Sequence, residues 1–538
     1  MSPEFVPLAE QVVDDLLAAS PTRAYWAGDH RFDDRLPDFS DDAVRREAAL
    51  LRHRADELAT VDADLLSAQD DVDRQLLLAL VDERLFELTA VDERTWNPLL
   101  HNPGDLIFGL LAREAGEPEE RLAALAARLG ALPEALATAQ RVLGDCPRIH
   151  VETALGQIDG TQALVRDEVP LLLSRAPGLR PTVEPVREAA LAALTEHRNF
   201  LSSLLERSHR DPRLGRPLWE ARLWHALDSD LTAAQVRSQA LEDLDRVTAQ
   251  IVETAAELTG RPDVAAALDL LARDHPDDDT IVGKVAGTLT GATDFVGEHD
   301  LVSVLDDPIE IMAMPEYARG VAVAYCDAPG PLETRVLPTF YAISPTPAGW
   351  PPERVASFYR EYNDHMLSNL TAHEAMPGHY LQLAHARRFA GSTRVRALCQ
   401  SGSFIEGWAV YAEEVMVEHG YGSLPVRMQQ LKMALRMIIN AILDQAVHCD
   451  GMTQGEAMAL MTSRGFQEEG EAAGKWRRTL LTSAQLSTYF VGYTEMSRIG
   501  RSRPPTTSQR SWHDAMLAAG SPAPRHLAEL LGVAPARG

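Results

Sequence analysis

Apolar residues recur every three to four positions along most of the chain, and charged residues fill the faces between them. That period belongs to amphipathic helices, and it predicts them over 41–66, 68–91, 118–142, 185–207, 216–227 and 232–260. Leu78, Val81 and Leu85 make one such stripe, expected to face a core. Ser40 ahead of Asp41-Asp42 and Thr232 ahead of Ala233-Ala234 carry the hydroxyls that cap helix N-termini. Pro147, Pro170, Pro177, Pro181 and Pro212 punctuate the connections. The texture changes at Asp274-His-Pro-Asp-Asp-Asp279, and one further helix is expected to about 296. Three short runs then read as strands: Pro308–Met314, Val321–Tyr325 and Thr339–Ile343. They are rich in β-branched and aromatic residues and separated by turns such as Ala328-Pro-Gly-Pro331. From 352 the helical period resumes. No internal repeat is visible. The expected layout is an N-terminal helical lobe (1–300), a small β-rich segment (301–345) and a C-terminal helical lobe (346–538).

Composition narrows the picture. The 538 residues include 51 basic and 79 acidic side chains, a formal net charge of −28. With 45% hydrophobic and 24% charged residues the chain has the profile of a globular protein and enough length for a large core. So much excess negative charge repels phosphate backbones and anionic lipid, so neither nucleic acid nor a membrane surface is an expected partner. The densest basic cluster, Arg498, Arg501 and Arg503, reads as a helix end. Lys occurs only at 284, 432 and 475, a scarcity read as codon bias. The four Cys, at 146, 326, 399 and 449, form no C-x-x-C pair, which points to free thiols in a reducing compartment. The N-terminus shows no basic region followed by a long apolar stretch, and no run approaches 18 apolar residues, so a cytoplasmic protein without a membrane span is expected.

The segment that carries chemistry is Thr371-Ala-His373-Glu374-Ala-Met-Pro377-Gly378-His379-Tyr380. A His-Glu pair closely followed by a second His is how zinc hydrolases place two ligands and a base. In the plain form the histidines stand at i and i+4. Here the spacing is i+6, which on an undistorted helix leaves the rings about 120° apart. Pro377 cannot bond the carbonyl of His373, and Gly378 tolerates conformations closed to other residues, so a two-residue bulge is expected to return His379 to the first ring. Glu406, 27 residues beyond His379, is the candidate third ligand, and Glu413, seven residues further on the same helix face, the candidate brace for a ligand. His365 and His385 read as ordinary helix residues.

These residues resemble a known family. His373-Glu-Ala-Met-Pro-Gly-His379-Tyr-Leu-Gln is similar to the His-Glu-Ala-x-Pro-Gly-His-His-Leu-Gln pattern of the bacterial "domain of unknown function 885" family, whose members look like gluzincin-type metallopeptidases. Phe404 to Glu413 matches a second motif, Phe-x-Glu-Gly-Trp-Ala-x-Tyr-Ala-Glu. Ser483-Ala-Gln485-Leu-Ser-Thr-Tyr489-Phe-Val-Gly492 resembles a third, Pro-Gly-Gln-Ala-Leu-Ser-Tyr-Lys-Ile-Gly. Gly28–Ser40 and the helix carrying Arg436, Asp444 and His448 also fit, so the resemblance spans most of the chain. It implies a mainly α, two-lobed metallopeptidase-like fold with a deep cleft and a small β-sheet beside the active site. Thr339–Ile343 is the strand expected to pair with a peptide. Tyr380, Ser483, Ala484 and Phe490 depart from the family pattern.

The chemistry so implied is zinc-assisted amide hydrolysis. One Zn²⁺ per chain would be held by His373, His379 and Glu406; other divalent ions suit the same donors. Zinc lowers the pKa of bound water from near 15.7 to about 7, with Glu374 as general base. Tyr489, at the matching motif position, is the expected oxyanion donor, with Tyr493 as competitor. Arg436 is a candidate partner for a substrate carboxylate or for a buried acid, and Asp444 and His448 read as structural or substrate-contacting residues. Tyr380 would alter one wall of the site. Short peptides are the expected substrates. The alternatives are an amide hydrolase of a non-peptide metabolite and a catalytically inactive helical binding protein.

Overall fold

The structure, a computed structural model, describes residues 5–229, 231–314, 319 and 322–534. The chain is mainly helical, with one three-stranded sheet. Its residues group into two compact units.

The first unit comprises the chain up to Pro212 with Pro329–Leu337 and Gly391–Leu398. Its principal helices are α1 (Phe5–Ala19), α2 (Asp41–Ala59), α3 (Ala68–Phe86), α4 (Pro118–Val142), α5 (Arg148–Ala163) and α6 (Arg180–Leu205). The Ser40 hydroxyl accepts from the Ala43 amide at 3.3 Å and so starts α2. On α3 the buried positions are Val72, Leu76, Leu77 and Val81, while Leu78 and Leu85 are only half-buried, so the stripe sits one residue round from the expected one. Leu122, Leu125, Leu129, Leu132 and Leu136 of α4 pack with α5 and α6 in one core. Each such leucine contributes about 1.5–3 kcal/mol of burial. Among the described residues, α4 alone is long and apolar enough to cross a membrane, contrary to expectation, because its Leu/Ala content is high; half of its apolar window is already buried in this core. The fully buried Arg128 guanidinium donates to the carbonyls of Arg35 (3.2 Å) and Leu106 (2.5 Å).

The second unit comprises Arg213–Ala328, Pro338–Ala390 and Cys399–Gly538. The helices over 216–298 thus pack with the C-terminal helices, although in sequence order they follow the N-terminal ones. They are α7 (Arg216–Leu227), α8 (Ala233–Thr259) and α9 (Ile281–Glu298). Thr232 and Gln235 form a reciprocal cap at the start of α8. Then come β1 (Ile309–Ala313), β2 (Ala324–Asp327) and β3 (Thr339–Ile343), followed by α10 (Pro352–Glu361), α11 (Asp364–Glu374), α12 (His379–Ala386), α13 (Gly402–Glu418), α14 (Ser423–Asp450), α15 (Glu469–Leu481) and α16 (Ser487–Arg501). From Met428 to His448 almost every residue of α14 is buried, so it forms the axis of this unit, with α8, α11 and α16 against it.

The sheet order is β1-β3-β2, with β1 parallel and β2 antiparallel to β3. Ile311 and Cys326 both pair with Tyr341. The second strand lies three residues later than the run read from sequence; Val321 is outside the described residues. The role given to Thr339–Ile343 is corrected here: β3 is the central strand, both its edges are occupied, and it has no free backbone groups for a peptide. Among the described residues β1 and β2 are the edge strands. The buried Tyr341 hydroxyl lies 3.3 Å from Thr371 Oγ1 and ties the sheet to α11.

Candidate metal centre and its cavity

The six-residue spacing is accommodated by ending one helix and beginning another, which replaces the expected bulge within a single helix. α11 stops at Glu374, and α12 starts at His379. Pro377 has no N–H for the helix ladder. Gly378 passes so close to the preceding turn that a Cβ there would lie 1.8 Å from the His373 carbonyl oxygen, which excludes any other residue. The Trp408 indole donates to the Pro377 carbonyl at 2.9 Å and fixes the turn. His373 and His379 then meet from two helix ends, with ring centroids 4.7 Å apart and planes at 85°.

Glu406 comes to them from α13. Its Oε2 lies 3.5 Å from His373 Nε2 and 3.5 Å from His379 Nε2. The Glu406 residue is half-buried, and its Oε2 is enclosed with no hydrogen-bond partner. One ligand atom from each of the three residues lies within 4.8 Å of the others. A tetrahedral ion with bonds of about 2.0–2.1 Å holds its donors about 3.3–3.4 Å apart, close to the Glu406–His spacings. Glu413 accepts from His373 Nδ1 at 2.7 Å and from the Asn369 amide at 2.5 Å. A carboxylate has no proton to give, so His373 carries a proton on Nδ1, which leaves Nε2, on the Glu406 side, as the nitrogen a metal would take. His379 Nδ1 has no hydrogen-bond partner. Burial opposes ionisation of Glu406, but the facing imidazoles of His373 and His379 prevail and hold its carboxyl far below the usual range. Burial raises the carboxyl of Glu374, against the pull of His379 and His373. Two neighbouring carboxyls are thereby shifted in opposite directions, Glu406 down and Glu374 up.

A glycine from each of two motifs brings α13 against α16: a Cβ on Gly407 would lie 2.3 Å from the Gly492 carbonyl carbon. That approach places Tyr489 near the donors. A cavity of about 240 Å³ is lined by His373, Glu374, Glu413, Arg436 and Tyr489. His379 and Glu406 are not lining residues, so the cavity meets the donor set on its His373–Glu374 side. Tyr489 OH accepts from Arg478 at 3.2 Å, and burial together with the Glu406 charge pushes the phenol up to about 12. Tyr493 is instead committed to Glu414 at 2.9 Å and does not line the cavity.

The other expected site residues separate. Arg436 lines the cavity but is ion-paired with Glu471 and donates to Tyr362 OH at 3.2 Å. Asp444 accepts from the Trp219 indole at 2.9 Å, the amides of Ala484 and Ser487 at 3.0 Å each, and the Ser487 hydroxyl at 2.8 Å. His448 Nε2 faces the carbonyls of Thr479 and Thr482, both at 2.9 Å. Asp444 and His448 thus hold the turn that leads into α16 and have no place in the cavity wall. Tyr380 OH donates to the Asp307 carbonyl at 2.5 Å and likewise does not line the cavity, nor do Ser483, Ala484 and Phe490. His385 faces the Ser303 carbonyl at 2.8 Å, as an ordinary helix residue would. Sequence reasoning missed Lys475 and Arg478, which line the cavity from α15. The signal was present: only three lysines occur in a chain rich in arginine, and Lys432 and Lys475 are buried.

Two solved structures share this architecture over nearly the whole chain. One is a "putative lipoprotein of unknown function" from Shewanella oneidensis, 27% identical, with a TM-score of 0.79, covering 97% of this chain and 98% of that one. The other, a "putative lipoprotein" from Colwellia psychrerythraea, is 16% identical with a TM-score of 0.80 and covers 98% of each chain, a likeness of fold. No match is found among curated proteins. The family model described as "Bacterial protein of unknown function (DUF885)" matches residues 21–531, and the chain belongs to that family.

Proposed function

We propose that this protein is a zinc-dependent amide hydrolase of short peptides, with a helical fold of the metallopeptidase kind. The observation that carries the reading is Glu406 Oε2: a buried carboxylate oxygen without a hydrogen bond, equidistant from two imidazole nitrogens. The two imidazoles meet that oxygen only at 3.5 Å, and a cation seated between the three donors would bind all of them. When bound, zinc would acidify a water and polarise the substrate carbonyl. His373, His379 and Glu406 would hold the ion, with Glu413 fixing the His373 tautomer. Glu374 would take a proton from the attacking water and return it to the leaving nitrogen; a carboxyl raised by burial is the better base for this. Tyr489 would donate from its phenol to the developing oxyanion. Val323 and Ala324 line the cavity at β2, so the edge of that strand would receive an extended peptide. The departures at Tyr380, Ser483, Ala484 and Phe490 lie off the cavity wall, which favours the peptide over the non-peptide alternative.

The test is a library of short peptides offered to zinc-loaded protein. Cleavage is expected from the wild type and at least 1,000-fold less from Glu374→Gln with its metal retained. A metal-loaded wild type that cleaves no peptide would overturn the reading.

A further inference from the structure

Glu471, Lys475 and Arg478 stand at i, i+4 and i+7 on α15 and line the same cavity as His373, Glu374 and Tyr489. Their partners differ. Glu471 is held by Arg436 and by Tyr362 OH at 3.0 Å. Lys475 is 4% exposed and its amine makes no hydrogen bond or ion pair among the described residues, and burial with the nearby Arg436 and Arg478 holds it well below its ordinary range. Arg478 donates only to neutral groups, Gln485 Oε1 at 2.9 Å and Tyr489 OH at 3.2 Å. Elsewhere in the chain buried lysine is neutralised: Lys432 meets Glu361 at 2.9 Å. An enclosed amine without an anion loses its charge, and an incoming carboxylate would restore it. The guanidinium beside it is a planar fork suited to a carboxylate.

We propose that Lys475 and Arg478 form a carboxylate subsite, which takes the free C-terminal carboxylate of a short peptide. This rests on the peptidase reading above and makes the protein an exopeptidase acting near the C-terminus. The Arg478–Tyr489 hydrogen bond fixes the distance: the subsite adjoins the phenol assigned to the oxyanion, so a carboxylate bound there lies within a residue or two of the scissile bond. A carboxylate on a substrate side chain would meet the same two cations, and amidated peptides with and without Asp separate the two sources.

The direct test is calorimetric titration of zinc-loaded Glu374→Gln protein with acetyl-Ala-Ala-Ala, its C-terminal amide, and acetyl-Ala-Ala-Asp amide. The free acid is expected to bind at least 20-fold more tightly than either amide. Lys475→Met in the same background should erase most of that difference, Lys475→Arg should restore part of it, and Arg478→Gln should reduce it at unchanged thermal midpoint. Tight binding of the Asp amide would move the assignment to an acidic side chain and overturn the C-terminal one. Equal affinity for all three probes, or a preference that survives both Lys475→Met and Arg478→Gln, would overturn the subsite itself. The binding readout does not depend on turnover: a preference for the free acid without cleavage by the wild type would sink the peptidase reading and leave the subsite standing.

Discussion

Buried charge is handled differently at the Arg396–Asp73 pair of the first unit and at Glu406 and Lys475 of the second. In the first, Arg396 and Asp73 are each only 2% exposed at the side chain and meet at 2.6 Å, with Thr393 donating to the same carboxylate at 2.6 Å. Arg128 is surrounded by carbonyl oxygens and faces Asp33 at 3.6 Å. In the second, the Glu406 oxygen Oε2 has no hydrogen bond, and Lys475, 4% exposed, makes no side-chain hydrogen bond or ion pair among the described residues. Paired buried charges fix a fold; unpaired ones store affinity for something that has yet to bind. In the proposed reading the contrast marks which buried charges would meet a ligand, something composition does not show, since both units are helical and leucine-rich.

Breaking the paired side gives the largest expected effect on stability. Arg396→Met strands Asp73 in the core and should cost about 3–5 kcal/mol in denaturant unfolding of the first unit, with zinc content unchanged. Loss of zinc in that variant would erase the distinction between the units. Next is the turn that joins the two histidines. Gly378→Ala places a methyl on the His373 carbonyl, and zinc affinity, read by competition with a chelator, should fall at least 100-fold. Glu413→Gln keeps the shape but removes the charge that holds the His373 tautomer, and a drop of about 10–100-fold in zinc affinity is expected; an unchanged value would show that Glu413 plays no part in metal binding.

The smallest effect lies in the first unit. His30 is flanked by Asp33 at 2.8 Å and Glu333 at 2.7 Å, and the Asp33 hydrogen bond, ahead of the opposing effect of burial, raises it to about 9. The folded value exceeds the unfolded one of about 6.5, so this stabilisation is complete below pH 6.5 and is lost as pH rises through 9. His30 is partly exposed, so after solvent screening the loss should be about 1 kcal/mol. Unfolding curves of wild type and His30→Gln should converge between pH 6.5 and 9.5; a constant gap would contradict the pairing.

Local chemistry was the legible part of this molecule. Ser40 and Thr232 cap the helices they were expected to cap, because a cap depends on residues three positions apart. His373 and His379 meet through a local turn between two helix ends, whereas Glu406 and Glu413 join them from another helix and were legible only as a motif of known spacing. What escaped is non-local. No period reveals that β3 lies between β1 and β2, so the expectation that Thr339–Ile343 is open to pair with a peptide could not be checked from the sequence. Tyr489 and Tyr493 differ by one helical turn, and only the Glu414 carboxylate on another helix distinguishes them. Lys475 stood out by rarity, but rarity has no direction until the neighbours that fail to pair with it are known.

The most direct measurement is the zinc-to-protein ratio, by plasma emission spectroscopy, of wild type, Glu374→Gln and His379→Ala after zinc loading and exhaustive dialysis. One zinc per chain is predicted for the wild type and for Glu374→Gln, and less than a tenth of that for His379→Ala. A wild type that retains no metal, or a His379→Ala variant that retains it in full, would contradict the account.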